Sequence, residues 1–322
     1  MTATPVAEGE KGLNIESITW NGLTWVNIPQ PTERETEYLA QHYPFHPLDL
    51  DDCLSRVQLP KIDEYPTYAF IVLHFPVFNK EARVTTPSQV SIFIGQDYLV
   101  TLHQGDLKPL VKLFRDCQLN QDAREEYMSR RSGYLLYRIV DRLVDYCFPI
   151  VNKIMENIEA AEDDIFDPRK RGARTVQEIS VIRRDIISYR RINYPLRAVI
   201  STLEHKLRRF FAEDMEVYFG DVVDHLDKIW NLLDECKEVI EGLHDTNNSL
   251  VNQRTNEALR VLTIIGTIML PLIVLSGLWS MNVPLPLGAN PGGVHWFFWL
   301  ILGWMMGVGG LMLYWFRRMG WL

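Results

Sequence analysis

Between Arg260 and Arg317 the chain has no Asp, Glu, Lys or Arg, and besides Tyr314 the one ionisable side chain in that interval is His295. In a chain of 322 residues that is 23% charged, this gap leaves nearly all of the formal charge upstream of it. So long an uncharged interval predicts a membrane part following a soluble part. Cysteine is also scarce: Cys53, Cys117, Cys147 and Cys236 are scattered, with no CxxC pair. That rules out a disulfide framework and fits core packing in a reducing compartment. Positive charge is short as well. A net charge of −8 argues against a nucleic-acid partner, which needs clustered Lys and Arg, and suits cations better. Residues 1–12 lack a basic start followed by an apolar stretch, so no cleaved signal peptide is expected. Catalytic patterns are missing too. His42 and His46 lack the Glu of a zinc-protease helix, no Gly-rich loop could cradle phosphate, and no Ser or Cys sits in a nucleophile elbow. No enzyme is expected.

What the uncharged interval does contain is two apolar runs. Residues 261–281, about 21 in number, span the roughly 30 Å hydrocarbon core at the helical rise of about 1.5 Å. Residues 295–316 form a second span, with Trp296, Trp299, Tyr314 and Trp315 near its ends as an aromatic belt. The loop at 282–294 holds Pro284, Pro286 and Pro291 with Gly288, Gly292 and Gly293, and so predicts a tight return. Arg254 and Arg260 flank one outer end of this hairpin and Arg317 and Arg318 the other, while the loop has no basic residue. The positive-inside rule then places both termini in the cytoplasm, as in a multi-pass protein of the inner (plasma) membrane. Two helices cannot enclose a water-filled path, so a conducting form must be an oligomer.

Upstream, residues 1–130 predict an α/β domain. Strands are expected at 67–78 and 89–103, the second broken by a Gly95-Gln96-Asp97 turn, with a short helix at 46–54. Residues 131–260 change to helical periodicity, in runs at 133–166, 175–210 and from 213 into the membrane. The last predicts one helix of about 65 residues, about 100 Å long, joining soluble part to membrane. The fold class is thus an α+β domain with long helices and two C-terminal transmembrane helices.

Steps of three and four along that helix line up Asp245, Asn248, Asn252, Asn256, Leu259, Leu262, Gly266, Leu270, Ile273 and Gly277. This stripe is polar below and apolar within the membrane. It suits either a pore wall, whose leucines can dewet to stop conduction, or an ordinary packing seam. At its outer end stand Ser280, Met281 and Asn282. The Asn282 amide could hydrogen-bond the waters of Mg²⁺, or it could cap the helix. Acidic residues crowd the long helices, among them Glu159, Glu162, Asp163, Asp164, Asp221, Asp224 and Asp227. They form either solvated faces or sites for Mg²⁺.

These residues resemble the CorA family of magnesium channels, with which the zinc-transporting ZntB branch is grouped. The resemblance is densest at 254–282, around TNEALRVLTIIGTIMLPL, and is also carried by HPLDLDDCL, LPKIDEYPTYAFIVL and the terminal RRMGWL. It implies a homopentamer shaped as a cytosolic funnel in the lipid bilayer, with the first span lining the pore. It further implies that Asn282 is the selectivity residue, with Ser280 and Met281 completing the filter. Asn256, Leu259 and Leu262 then lie at the gate, Asp245 faces the pore axis, and Asp221, with Asp224 nearby, belongs to regulatory Mg²⁺ sites. The family motif is Gly-Met-Asn, whereas this chain has Ser280-Met281-Asn282, and its loop lacks acidic residues. The expected function is a channel for Mg²⁺, with Co²⁺ or Ni²⁺, closed by cytosolic divalent ions. The alternatives are a Zn²⁺ transporter, proton-coupled or effluxing, and a non-conducting metal-sensing scaffold.

Overall fold

A computed structural model describes residues 12–55, 58–167, 173–280 and 295–321. It divides into two compact units, Met1–His244 and Asp245–Leu322. The α+β soluble part, the long helices and the two apolar C-terminal helices expected from the sequence are all present.

The first unit opens with β1 (Glu16–Trp20) and β2 (Leu23–Pro29). Between them Asn21 and Gly22 have φ of 50° and 81°. Asn-Gly reaches those left-handed angles at little steric cost, and the resulting two-residue turn matches strand twist. Helix α1 (Glu33–His42) starts from a capping box in which the Glu35 carboxylate accepts the Thr32 N–H at 2.9 Å. Helix α2 (Pro47–Leu54) has Pro in its first turn, where a missing N–H costs nothing, and the His46 ring accepts from the Leu48 N–H. Four strands follow: β3 (Lys61–Glu64), β4 (Ala69–Asn79), β5 (Val84–Ile94) and β6 (Tyr98–His103). The β4–β5 turn is tied by the Asn79 side chain, which accepts from the Glu81 and Ala82 N–H groups at 2.9 and 3.0 Å.

The sheet order is β1-β2-β6-β5-β4-β3, antiparallel throughout except for the parallel β2–β6 pair. Register sorts the side chains into two faces. Val26, Val100, Phe93 and Phe70 are partners in one row across the sheet. They share a core with Leu39, Tyr43 and Phe45, and with Leu50 and Cys53 of α2. On the opposite face Trp25 meets Phe114 edge-on, with centroids 4.9 Å apart. Phe114 belongs to α3 (Lys108–Leu119), which is followed by α4 (Gln121–Met128), α5 (Ser132–Asp145), α6 (Cys147–Phe166) and α7 (Ala173–Leu207). Helix α7 packs on β4 and β5 and is pinned where Ser188 Oγ donates to the Thr85 carbonyl at 2.6 Å. With both faces covered, the central strands are continuous apolar runs.

The 133–166 run predicted as one helix is two. The break falls at Tyr146, and Pro149 lies in the first turn of α6, where proline is tolerated. Gly133 at the start of α5 has no room for a side chain, because a Cβ there would lie 2.1 Å from the Phe211 ring.

Helix α8 runs Glu216–Ser280 and α9 His295–Arg318. Within the first unit the buried apolar residues of α8 are Phe219, Val222, Leu226, Ile229, Leu233, Cys236, Ile240 and Leu243. This alternation of three and four is a heptad seam, and it ends where the first unit ends. Helices α7 and α8 run antiparallel along it. Arg183, Arg190 and Arg197, each two turns apart, pair with Glu241, Asp234 and Asp227. In the second unit, α8 from Asp245 and α9 contain windows long and apolar enough to cross a membrane, of which 6% is buried within the chain. Apolar surface so little covered by its own chain is what a lipid environment explains.

Candidate functional site

Helix periodicity puts residues four apart on one face. On α5 these are Asp141 and Asp145, and on α8 Asp221 and His225. The two faces meet. His225 Nδ1 lies 3.8 Å from Asp145 Oδ1, and Nε2 lies 3.9 Å from Asp221 Oδ2. Ligand atoms of Asp141, Asp145 and His225 all lie within 4.8 Å of one another. The Phe148 ring meets the imidazole edge-on at 5.6 Å, forming an apolar wall. Nδ1 is buried and makes no hydrogen bond, because 3.8 Å is too long for one. Burial pushes the Asp141 carboxyl above its ordinary pKa, and the neighbouring Asp145 charge adds to the rise. Converging oxygens and one imidazole nitrogen without a hydrogen-bond partner among the described residues form a donor set of the kind that could hold a divalent cation.

Of the regulatory residues expected from the sequence, Asp221 reaches this cluster through His225, whereas Asp224 is exposed and not among the converging groups. Asp141, Asp145 and His225 had not been singled out. Their signal was two i,i+4 pairs of metal-ligating residue types, though their meeting depends on tertiary structure. Glu159, Glu162 and Asp163 on α6 are solvated.

In the second unit, Asp245, Asn256, Leu259, Leu262, Gly266, Leu270, Ile273 and Gly277 are all exposed along α8, and Ser280 ends the helix. Leu262, Leu270 and Ile273 are 66%, 66% and 67% exposed, so among the described residues no element covers the stripe. Met281, Asn282 and the loop at 282–294 lie outside the described residues. So do the side chains of His295 and Trp296.

These features define an integral membrane protein whose large first unit brings two carboxylates and an imidazole together. The model of the family described as CorA-like Mg²⁺ transporter protein matches residues 20–318. The Bacillus subtilis protein YfjQ is 31% identical over 97% of this chain and 94% of its own length. The cobalt/magnesium transport protein CorA of Thermotoga maritima is 30% identical over 82% of this chain and 73% of its own. The solved CorA magnesium transporter of Methanocaldococcus jannaschii superimposes with a TM-score of 0.82 at 23% identity, covering 95% of this chain and 94% of that one. The chain belongs to the CorA family of divalent-cation transporters, which is not an enzyme family.

Proposed function

We propose that this chain forms a homopentameric channel for hydrated Mg²⁺, passing Co²⁺ or Ni²⁺ as well, with both termini in the cytoplasm of a plasma-membrane setting. The exposed apolar stripe on α8 carries this reading. Large side chains repeated along one face of a membrane helix and uncovered by their own chain suit a pathway closed by other copies of the same helix. Ser280, Met281 and Asn282 form the outer mouth, where an amide oxygen and backbone carbonyls bind the ion through its water shell. Leu259 and Leu262 close the pore by dewetting, Leu270 and Ile273 line it further out, and Gly266 and Gly277 leave room for a hydrated ion. Asn256 and Asp245 meet the ion on the cytoplasmic side.

Gating follows from the carboxylate cluster. When cytosolic Mg²⁺ is plentiful, Asp141 and Asp145 of α5 and His225 of α8 would hold it, with Asp221 orienting the imidazole from its other nitrogen, and the ion would supply the charge that keeps α8 in the closed arrangement. When Mg²⁺ is scarce the like charges repel and release α8. A second reading is Zn²⁺ transport. The imidazole in the cluster favours softer ions, and the zinc transport protein ZntB of Pectobacterium atrosepticum is 24% identical over 82% of this chain.

The test is ion flux into liposomes holding the purified protein. Saturable Mg²⁺ entry that Asn282→Ala abolishes is expected. Zn²⁺ entry that collapses with the pH gradient would replace the magnesium reading, and absence of any flux would reduce the protein to a metal-sensing scaffold.

A further inference from the structure

Beside the carboxylate cluster lies a recess of about 410 Å³ between α3 and the end of α5, lined by Lys108, Lys112, Asp116, Arg142, Asp145 and Tyr146 with Pro109 and Leu113. Its volume falls within the range that holds small ligands. The three basic side chains are exposed, and none has a carboxylate within ion-pair distance among the described residues. Elsewhere in this acidic chain, Lys61, Arg190 and Arg197 sit directly on carboxylates. Three basic side chains free of carboxylates around one cavity give it a local positive potential that suits an anion.

The lining also includes Asp116 and Asp145, which repel a bare anion. A ligand carrying both signs suits both halves of the wall. We propose that this recess binds a magnesium-complexed polyphosphate, such as a nucleoside di- or triphosphate. Lys108, Lys112 and Arg142 take the phosphate oxygens, Asp145 and Asp116 face the metal side, and Tyr146, Pro109 and Leu113 offer an apolar wall to a base or sugar. The proposal touches the cation reading only through Asp145, which lines the recess and belongs to the cluster with His225. A ligand there reports the cell's store of complexed magnesium to the same α5–α8 contact that free Mg²⁺ occupies.

Equilibrium dialysis of the full-length protein in detergent tests it, using ATP with Mg²⁺, pyrophosphate with Mg²⁺, and ATP in EDTA. Saturable binding of magnesium ATP is expected, weakened about tenfold or more by Lys112→Ala and by Arg142→Ala. Arg115→Ala, on an exposed face of α3 outside the recess, serves as the charge-matched control and should change nothing. Competition by magnesium pyrophosphate identifies the phosphate chain as what is recognised, and its failure to compete identifies the nucleoside; either supports the recess. Three results overturn the proposal: no saturable binding at millimolar magnesium ATP, equal loss in Arg115→Ala, or equal affinity in EDTA. Thermal stabilisation by Mg²⁺ alone, compared between the wild type and His225→Ala, reads the Asp141–Asp145–His225 cluster through a residue that does not line the recess. Its absence with nucleotide binding intact would sink the cation reading alone.

Discussion

Replacing Asp145 by Asn should change the sign of its effect on stability with the presence of Mg²⁺. In EDTA, Asp141, Asp145 and Asp221 converge around one imidazole with no cation between them. Asp145 helps to hold the Asp141 carboxyl above its ordinary pKa, and that is a cost to the folded state. Removing its charge while keeping its shape lifts this repulsion, so the variant should melt at or slightly above the wild type. With Mg²⁺ about 100-fold above its dissociation constant, a site present only in the folded state adds about 2.7 kcal/mol. For a unit the size of Met1–His244, each kcal/mol moves the melting temperature by about 2–4 °C, so the wild type should gain roughly 5–10 °C. Asp145→Asn and His225→Ala should lose most of that gain. Differential scanning fluorimetry of the full chain in detergent, in EDTA and across a Mg²⁺ series, reads both conditions. An Asp145→Asn protein that keeps the full Mg²⁺ shift, or that melts far below the wild type in EDTA, would refute the argument.

Two further outcomes are expected. His103 is buried and neutral. Its Nε2 donates to Asn27 Oδ1 at 3.1 Å, its Nδ1 accepts the Gly105 N–H at 3.0 Å, and burial lowers its pKa to about 4. The unfolded chain, with a pKa of 6.5, then binds the proton first. Stability should fall as pH drops from about 6.5 towards 4, by roughly 3 kcal/mol at most, and a neutral His103→Gln should flatten that slope in denaturant melts. Gly133→Ala should destabilise the first unit by about 1–3 kcal/mol, since its Cβ meets both the Phe211 ring and, at 2.9 Å, the Phe210 carbonyl oxygen, as a shift in denaturation midpoint would show.

The membrane part was legible because an uncharged interval can be counted, and the central strands because β-branched and aromatic residues are dense in them. Their partners were harder to see. Strand β2 pairs in parallel with β6, Trp25 beside Leu99, and no local pattern announces a neighbour so far along the chain. The break at Tyr146 was hidden because Pro149 reads as compatible with a helix it in fact begins. The resemblance pointed to Asp221, which lies beside His225, whereas Asp141 and Asp145 needed α5 to be laid against α8. Acidic residues on α6 looked equally promising and face water. Composition located the charge, and only packing showed which charges converge.

The ladder between α7 and α8 limits how α8 can move. Arg183, Arg190 and Arg197 stand like teeth at heptad spacing against Glu241, Asp234 and Asp227, with the apolar seam from Phe219 to Leu243 running alongside. Sliding α8 by a single turn, about 5.4 Å, would face each arginine with the wrong residue and pull the seam out of its holes. The next matching position lies a whole heptad away, about 10.5 Å. Small displacements along the axis break all three pairs at once, which favours α7 and α8 keeping register along this stretch. Motion that keeps this register is a tilt or bend of the two helices together, with the sheet face that holds α7 as the fulcrum.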